Sequence, residues 1–265
     1  MSAPDFAQFF ETATQGKSPY DYQCRLACGP DAKAAKPPSL TTGTDCRSQL
    51  INIPTGLGKT AAVVMAWLWN RVARDDERWP RRLVYCLPMR TLVEQTRDET
   101  RKWINKLVDA GLIPTDRKPR VVVLMGGESL EDEDKDWDIY PEANTILIGT
   151  QDMLLSRALN RGYGMARARW PMHFGLLNND ALWVLDETQL MGVGVRTSAQ
   201  LEGLRRKIGT ALGCATWWAS ATLDSRLLIT PDHPELPPTL KLEEDDRVSP
   251  EVDARINSVK RLAAL

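Results

Sequence analysis

Six short apolar segments, distributed along most of the chain, constrain the fold of this protein more than any other feature. They lie at 49–53, 82–87, 120–124, 145–149, 181–185 and 214–219, and amphipathic stretches typical of helices follow most of them, at 59–74, 91–110, 151–161 and 196–211. Near-continuous apolar strands indicate a sheet that is covered on both faces. Strands that alternate with helices favour βαβ units. We therefore predict an α/β fold with three layers and a mainly parallel sheet.

The segment IPTGLGKT joins the first predicted strand to the first predicted helix. Gly56 and Gly58 allow a tight turn whose N–H groups point at a phosphate, and the helix that begins near Lys59 adds its positive dipole end. In this pattern Lys59 would reach the β- and γ-phosphates of a nucleotide, and Thr60 would hold Mg²⁺. The strict pattern asks for glycine at the first position, where this chain has isoleucine, but the GKT end in this context is specific. The residues predicted to bind the ATP phosphates are Thr55, Gly56, Leu57, Gly58, Lys59 and Thr60.

Two adjacent carboxylates, Asp186 and Glu187, follow the apolar segment 181–185. Alone they would indicate only that the strand emerges into solvent. In open α/β sheets, however, ligands bind beyond the carboxyl ends of the strands, so these acids and the phosphate loop can face one site. Asp186 would hold Mg²⁺ through water, and Glu187 would orient the water that attacks the γ-phosphate. The combination favours nucleotide hydrolysis.

Composition and charge limit the class of protein and the cellular location that we expect. The 265 residues carry a net charge of -1, which excludes a generally basic nucleic-acid coat but not a local basic groove. No apolar run approaches the ~20 residues that span a bilayer, and the N-terminus lacks a signal-peptide pattern. The 5 scattered cysteines suit a reducing compartment. We expect a cytoplasmic protein with no membrane partner.

Six motifs follow one another in an informative order: PYDYQ (19–23), PTGLGKT (54–60), LPMRTLVEQT (87–96), ILIGTQDML (146–154), LDETQ (185–189) and SAT (220–222). This series resembles the first RecA-like domain of a superfamily 2 helicase of the DExD/H type. The longer string that begins RALNRGYG at 157 and continues through HFGLLNNDALWVLDETQLMGVG is similar to the helicase part of the CRISPR-associated helicase–nuclease of type I systems. The resemblance implies a RecA-like P-loop NTPase fold, ATP and Mg²⁺ as cofactors, single-stranded DNA as ligand and a CRISPR surveillance complex as partner.

The resemblance also implies a role for each matching residue. Gln23 would read the adenine edge, since an amide can pair bidentately with adenine; a polar helix cap is the alternative. Gln189 stands where relatives carry His or Asp, and could contact the γ-phosphate or Ser220. Ser220 and Thr222 match the segment that couples the nucleotide site to the strand-binding face. The positions expected to hold a nucleic-acid backbone without reading its sequence are Arg90, Thr91, Gly126, Gly127 and Thr150, the last also being a candidate helix cap.

Three further groups of residues have competing interpretations. The basic and aromatic stretch 157–170 suits a single strand, and a solvated helix face followed by a loop is an equally good alternative. The tryptophans at 67, 69, 217 and 218 lie on predicted core elements, so we assign them to packing. His173 and His233 lack sequence neighbours typical of a catalytic or metal-binding histidine. The chain is therefore not expected to supply the family's metal-dependent nuclease.

We predict three regions: an N-terminal extension (1–17), a RecA-like ATP-binding domain (18–229), and a proline-rich linker (230–265) that leads to a second RecA-like domain missing from this chain. The predicted function is the motor domain of an ATP-dependent DNA helicase or translocase that acts on DNA displaced by the surveillance complex. A second domain contributes an arginine finger worth ~10³–10⁵ in turnover, so this chain alone should bind ATP but hydrolyse it slowly. The alternatives are another superfamily 2 restriction or repair helicase, and a nucleotide-dependent binding module without productive hydrolysis.

Overall fold

A parallel sheet of seven strands lies at the centre of the computed structural model, which describes residues 4–36, 39, 43–126, 136–162, 165–222, 224–247 and 252–254. Its strands are β1 (Gln49–Asn52), β2 (Arg82–Leu87), β3 (Arg120–Leu124), β4 (Thr145–Thr150), β5 (Ala181–Leu185), β6 (Cys214–Ser220) and β7 (Thr239–Lys241). Their order across the sheet is β3-β4-β2-β5-β6-β1-β7, and all neighbours are parallel.

Helices cover both faces of this sheet. They are α1 (Phe6–Thr14), α2 (Asp21–Cys28), α3 (Lys59–Trp67), α4 (Arg90–Asp109), α5 (Gln151–Ala158), α6 (Trp170–Asn178), α7 (Val193–Ile208) and α8 (Glu244–Arg247). The first four contribute to one apolar cluster and α5 to α7 contribute to another. Within β2, Leu83 and Tyr85 enter the first cluster while Val84 and Cys86 enter the second. The sheet is therefore buried on both faces, and the predicted three-layer α/β fold is confirmed.

All six predicted strands are present, and the four predicted helices match α3, α4, α5 and α7 to within a few residues. Helix α3 continues as a π-helix over Leu68–Ala73. The four tryptophans assigned to packing are buried, as expected. The helices that the sequence did not reveal are α1, α2, α6 and α8.

Both flanking regions contribute to the same core. In the N-terminal extension, the rings of Phe6 and Phe9 lie edge-on to Trp69, with centroids 5.6 and 5.3 Å away. In the segment expected to be a linker, β7 adds an edge strand beside β1, and Val252 is fully buried. The sequence did not anticipate these contacts; the division of the chain into domains remains a prediction.

His173 has a buried partner that the sequence did not indicate. Its Nε2 lies 2.8 Å from Asp138 Oδ2, and its ring lies 4.8 Å from that of Trp137. Asp138 also accepts a hydrogen bond from Arg169 and is fully buried. Burial lowers the pKa of His173. Within the described ranges no three His, Cys, Asp or Glu side chains form a metal-binding group, and no helix is long and apolar enough to cross a membrane.

Candidate active site

The parallel sheet brings the predicted site residues to one edge. The phosphate loop follows β1, Asp186 follows β5, and Ser220 ends β6. Because β5, β6 and β1 are consecutive in the sheet, the predicted nucleotide-binding residues are neighbours. Of the residues predicted to contact nucleic acid, Arg90 and Thr91 follow β2, Gly126 follows β3 and Thr150 ends β4, on the other half of the same edge. The strand order thus separates the predicted nucleotide-binding residues from an adjacent zone predicted to bind a nucleic-acid strand, the strand-binding zone.

The phosphate loop adopts a backbone that its glycines make possible. Gly56 and Gly58 have φ angles of 84° and 74°, in the left-handed region that glycine enters without steric cost. Gly58 forms the N-cap of α3, and a Cβ there would lie 3.1 Å from Gln23 Nε2. Lys59 is buried, and its Nζ donates a hydrogen bond to Ile53 O at 3.1 Å. In this structure its ammonium is therefore turned back onto the loop.

The buried Asp186 carboxylate is held by two hydrogen bonds. Tyr85 Oη donates to its Oδ2 at 2.7 Å, and Glu187 N donates to its Oδ1 at 2.9 Å. Burial raises the pKa of Asp186, while the Tyr85 bond and the charge of Lys59 act in the opposite direction. The Tyr85 hydroxyl also interacts with Thr60. One phenol therefore links the two residues predicted to hold Mg²⁺, and their hard oxygen donors fit that ion.

Tyr85 is a site residue that the sequence analysis missed. It lies in the middle of β2, where burial raises the pKa of its hydroxyl well above the usual value. A buried phenol needs a hydrogen-bond partner, so a tyrosine within the apolar run RLVYCL was a signal for a polar group nearby. The sequence did not indicate that this group is Asp186.

A chain of hydrogen bonds leads from Glu187 to the end of β6. Gln189 Nε2 donates to Glu187 Oε2, and Ser220 Oγ donates to Gln189 Oε1 at 2.7 Å. Thr222 N in turn donates to Ser220 Oγ at 3.1 Å. Glu187 has a φ of 53°, which is uncommon for a residue with a side chain and often marks a functional site. Of the two contacts considered for Gln189, the structure contains the one with Ser220.

Gln23 is buried and acts as a helix cap. Its Oε1 accepts from Tyr20 N at 2.9 Å, which closes a capping box at the start of α2. Its Nε2 donates to Gly58 O at 3.2 Å. The amide oxygen of glutamine has two lone pairs, so one acceptor site is left for a base. The structure thus shows the capping alternative, and adenine recognition by Gln23 remains a prediction.

The residues predicted to contact nucleic acid differ in their exposure. Arg90 and Thr91 are exposed in the first turn of α4, and Gly126 is half-buried just after β3. Thr150 occupies the N-cap position of α5, as its alternative interpretation required. Gly127 lies outside the described residues.

A comparison with protein families identifies the family to which the chain belongs. The model for the DEAD/DEAH box helicases matches residues 31–228. The chain belongs to the DEAD/DEAH box helicase family. No protein of curated function matches this helicase chain significantly.

Solved structures of helicases share the fold of this helicase domain. The yeast DEAD-box splicing factor Prp28 is 20% identical with a TM-score of 0.55, over 91% of this chain and 50% of Prp28. Mss116 bound to ssRNA and UDP-BeF is 16% identical with a TM-score of 0.56, over 92% and 47%. The DUF1998 helicase MrfA bound to DNA and AMPPNP is 17% identical with a TM-score of 0.58, over 93% and 30%. The chain thus spans half or less of each.

The basic stretch of the helicase domain is partly used for internal contacts. Arg157 is buried and donates to Met153 O at 2.8 Å, and Arg169 binds Asp138. Arg161 and Arg167 are exposed, and Tyr163 lies outside the described residues. Half of the arginines therefore have a structural role, and the exposed pair remains a candidate for strand binding.

Replacing Tyr85 with phenylalanine should raise the pKa of Asp186 further, because the hydroxyl stabilises the charged carboxylate. Asp186 ought to hold Mg²⁺ only when charged, so Mg²⁺-dependent ATP binding should fail at a higher pH than in the wild type. Because the pKa of Asp186 is raised in the folded state, the free energy of unfolding falls as pH rises through that pKa. Loss of the hydrogen bond from Tyr85 should lower the free energy of unfolding by a further ~1.5–3 kcal/mol when Asp186 is charged.

Mg²⁺-ATP titrations across a pH series measure the pH midpoint of binding. Urea unfolding at the lowest and highest pH of the series measures the change in stability. Tyr140→Phe is the control because Tyr140 is exposed. An unchanged pH midpoint in Tyr85→Phe would show that Tyr85 does not tune Asp186.

Proposed function

We propose that this helicase domain binds ATP with Mg²⁺ between the phosphate loop and Asp186–Glu187, and uses hydrolysis to power movement along a nucleic-acid strand. The observation that supports this most strongly is a cavity of about 1610 Å³. Its lining includes Gln23, Gly56, Thr60 and both acids. Residues from three distant parts of the sequence thus face one space large enough for a nucleotide.

The proposed chemistry assigns one task to each polar group. Lys59 exchanges its bond to Ile53 O for a stronger, charge-assisted bond to a phosphate oxygen. Thr60 and Asp186 would hold Mg²⁺, which would supply positive charge against the nucleotide phosphates. Glu187 orients and deprotonates the attacking water, and Gln189 fixes the position of the Glu187 carboxylate.

The link to the strand-binding zone is proposed to run through β6. Loss of the γ-phosphate changes the charge next to Glu187, and Gln189 bonds both Glu187 and Ser220. A shift of Gln189 is then passed to Ser220 and Thr222. Ser220 and Thr222 would therefore be connected to the loss of the γ-phosphate through hydrogen bonds.

For the substrate we propose single-stranded DNA, and for the pathway type I CRISPR interference in the cytoplasm, with a surveillance complex and a second RecA-like domain as partners. The support is the string that begins at 157, together with the fold shared with a helicase solved on DNA. Other helicases of the same fold are solved on ssRNA. An adjoining reading frame for a second RecA-like domain, beside other CRISPR genes, would agree with the proposal; an RNA-processing neighbourhood would contradict the pathway.

Fluorescence anisotropy with DNA and RNA strands of one sequence tests the substrate. We expect tighter binding of DNA, and Arg90→Ala should weaken it and reduce the slope of log K against log[salt] by about 0.7. Arg117→Ala is the control, since Arg117 is partly exposed near the opposite, amino end of the sheet. Tighter binding of RNA would overturn the DNA assignment, and an unchanged affinity in Arg90→Ala would remove Arg90 from the interface.

The alternative function is a nucleotide-dependent binding module without productive hydrolysis. Both functions require Lys59 to leave Ile53 O before it binds a phosphate, so this contact does not separate them. Single-turnover hydrolysis distinguishes the two functions: a module would bind ATP and release it intact with DNA present, whereas a motor domain would form ADP.

A further inference from the structure

The segment after β7 returns to the start of α2 and buries a carboxylate there. The Asp246 side chain is fully buried. It accepts hydrogen bonds from Tyr22 N at 2.9 Å, from Arg25 Nη2 at 2.6 Å and from Glu243 N at 2.7 Å. Arg25 Nη2 also donates to Lys241 O, in β7, at 3.1 Å. Helix α2 is thus tied to a segment more than two hundred residues away in the sequence.

These contacts suit the start of a helix. The first N–H groups of a helix have no partner within it, and the Asp246 carboxylate satisfies the one at Tyr22. A negative charge at this end also interacts favourably with the helix dipole. Arg25 neutralises the buried carboxylate. An unpaired charge at this buried position would be costly. Asp246 therefore caps a free N–H group in the first turn of α2.

The same turn of α2 holds the phosphate loop through its side chains. Tyr22 Oη donates to Leu57 O at 2.6 Å, and Gln23 Nε2 donates to Gly58 O at 3.2 Å. The residue whose backbone is bound by Asp246 thus supports one loop carbonyl, and its neighbour supports the next. Asp246 also borders the cavity that contains this loop.

We propose that Asp246 is a positioning residue for nucleotide binding. It holds α2 so that Tyr22 and Gln23 stay in place against the phosphate loop, and it connects the nucleotide site to residues 239–247. This inference rests on the proposed function, since it requires that ATP binds at that loop.

The adjacent residue offers a matched control. Asp245 belongs to the same short helix and forms an ion pair with Lys33 at 2.6 Å, but both side chains are more than half exposed. Exposed pairs contribute little, and in the part of the chain that the structure describes Asp245 forms its hydrogen bond with Lys33 and none with the first turn of α2. Asp245→Asn should therefore leave ATP affinity within about twofold of the wild type.

A mutant cycle tests whether Asp246 acts through Tyr22 and Gln23. We expect Asp246→Asn to weaken binding of a fluorescent ATP analogue about tenfold, as for a lost charge-assisted hydrogen bond. In a Tyr22→Phe, Gln23→Ala background the same change should cost about twofold or less, because both side-chain groups that Asp246 positions are already absent. If Asp246→Asn lowers the affinity by the same factor in both backgrounds, the inference is overturned. A wild type that fails to bind the analogue would overturn the proposed function, and this inference with it.

Hydrogen exchange in the wild type provides a test that needs no variant to fold. By linkage, if Asp246 improves ATP binding, then ATP must stabilise the contacts of Asp246. ATP should therefore slow exchange of the Tyr22 and Glu243 amides, both of which donate to Asp246. Bound ATP without slower exchange at these amides would overturn the inference while leaving the proposed function intact.

Discussion

Lys59→Ala is expected to weaken ATP binding by about 100-fold, equivalent to roughly 2.7 kcal/mol. The reason is electrostatic: Lys59 is the buried cation of the phosphate loop, and its removal leaves the phosphates without a charge-assisted partner. The fold should survive, because among the described residues the ammonium is hydrogen-bonded only to the carbonyl of Ile53. Isothermal titration with Mg²⁺-ATP measures the affinity, and urea unfolding shows whether the fold is retained.

Lys102→Ala is the matched control for this variant. Lys102 borders the same cavity but is exposed and pairs with Glu99 at 3.3 Å. We expect it to change ATP affinity by about twofold at most, as for an exposed charge screened by solvent. An unchanged affinity in Lys59→Ala would make the phosphate-loop assignment wrong. Equal losses in both lysine variants would instead point to non-specific attraction of ATP to the cavity.

Glu187→Gln is expected to retain ATP binding and to lower hydrolysis by roughly 10²–10⁴-fold, the usual contribution of a general base. The amide keeps the size of the side chain but cannot accept the proton of water. Single-turnover hydrolysis of radiolabelled ATP, with the protein in excess and single-stranded DNA present, measures this step even when the chain is slow.

Glu99→Gln controls for the loss of one carboxylate beside the cavity, since Glu99 borders it and lies on the exposed side of α4. Its hydrolysis rate should equal that of the wild type. If Glu187→Gln hydrolyses ATP at the wild-type rate, Glu187 is not the base, and the chain of bonds through Gln189 loses its proposed function.

The elements that the sequence predicts are those with local signals. Each of the strands β1 to β6 carries its own apolar run, and the phosphate loop carries its own glycine spacing. The position of Asp186 follows from β5 alone, because a carboxylate directly after a buried strand must lie at the sheet edge. Local patterns therefore predicted the sheet and placed most of the candidate site.

The features that the sequence did not predict depend on contacts between distant residues. Nothing near Tyr85 in the sequence identifies Asp186 as its partner, and Asp246 is separated from Tyr22 by almost the whole chain. Strand β7 has only three residues and follows a proline-rich stretch, so its pattern resembled a linker. Its pairing comes from the neighbouring edge of β1, which offers unpaired backbone groups.

The central claim is that the phosphate loop and Asp186 form one Mg²⁺-dependent ATP site. Isothermal titration of the wild type and of Asp186→Asn with ATP, each with Mg²⁺ and with a chelator, tests it most directly. We predict one site per chain, with affinity falling about tenfold or more in the wild type when Mg²⁺ is removed, and little effect of Mg²⁺ in Asp186→Asn. Absence of ATP binding by the wild type, or an equal Mg²⁺ effect in the two proteins, would contradict the claim.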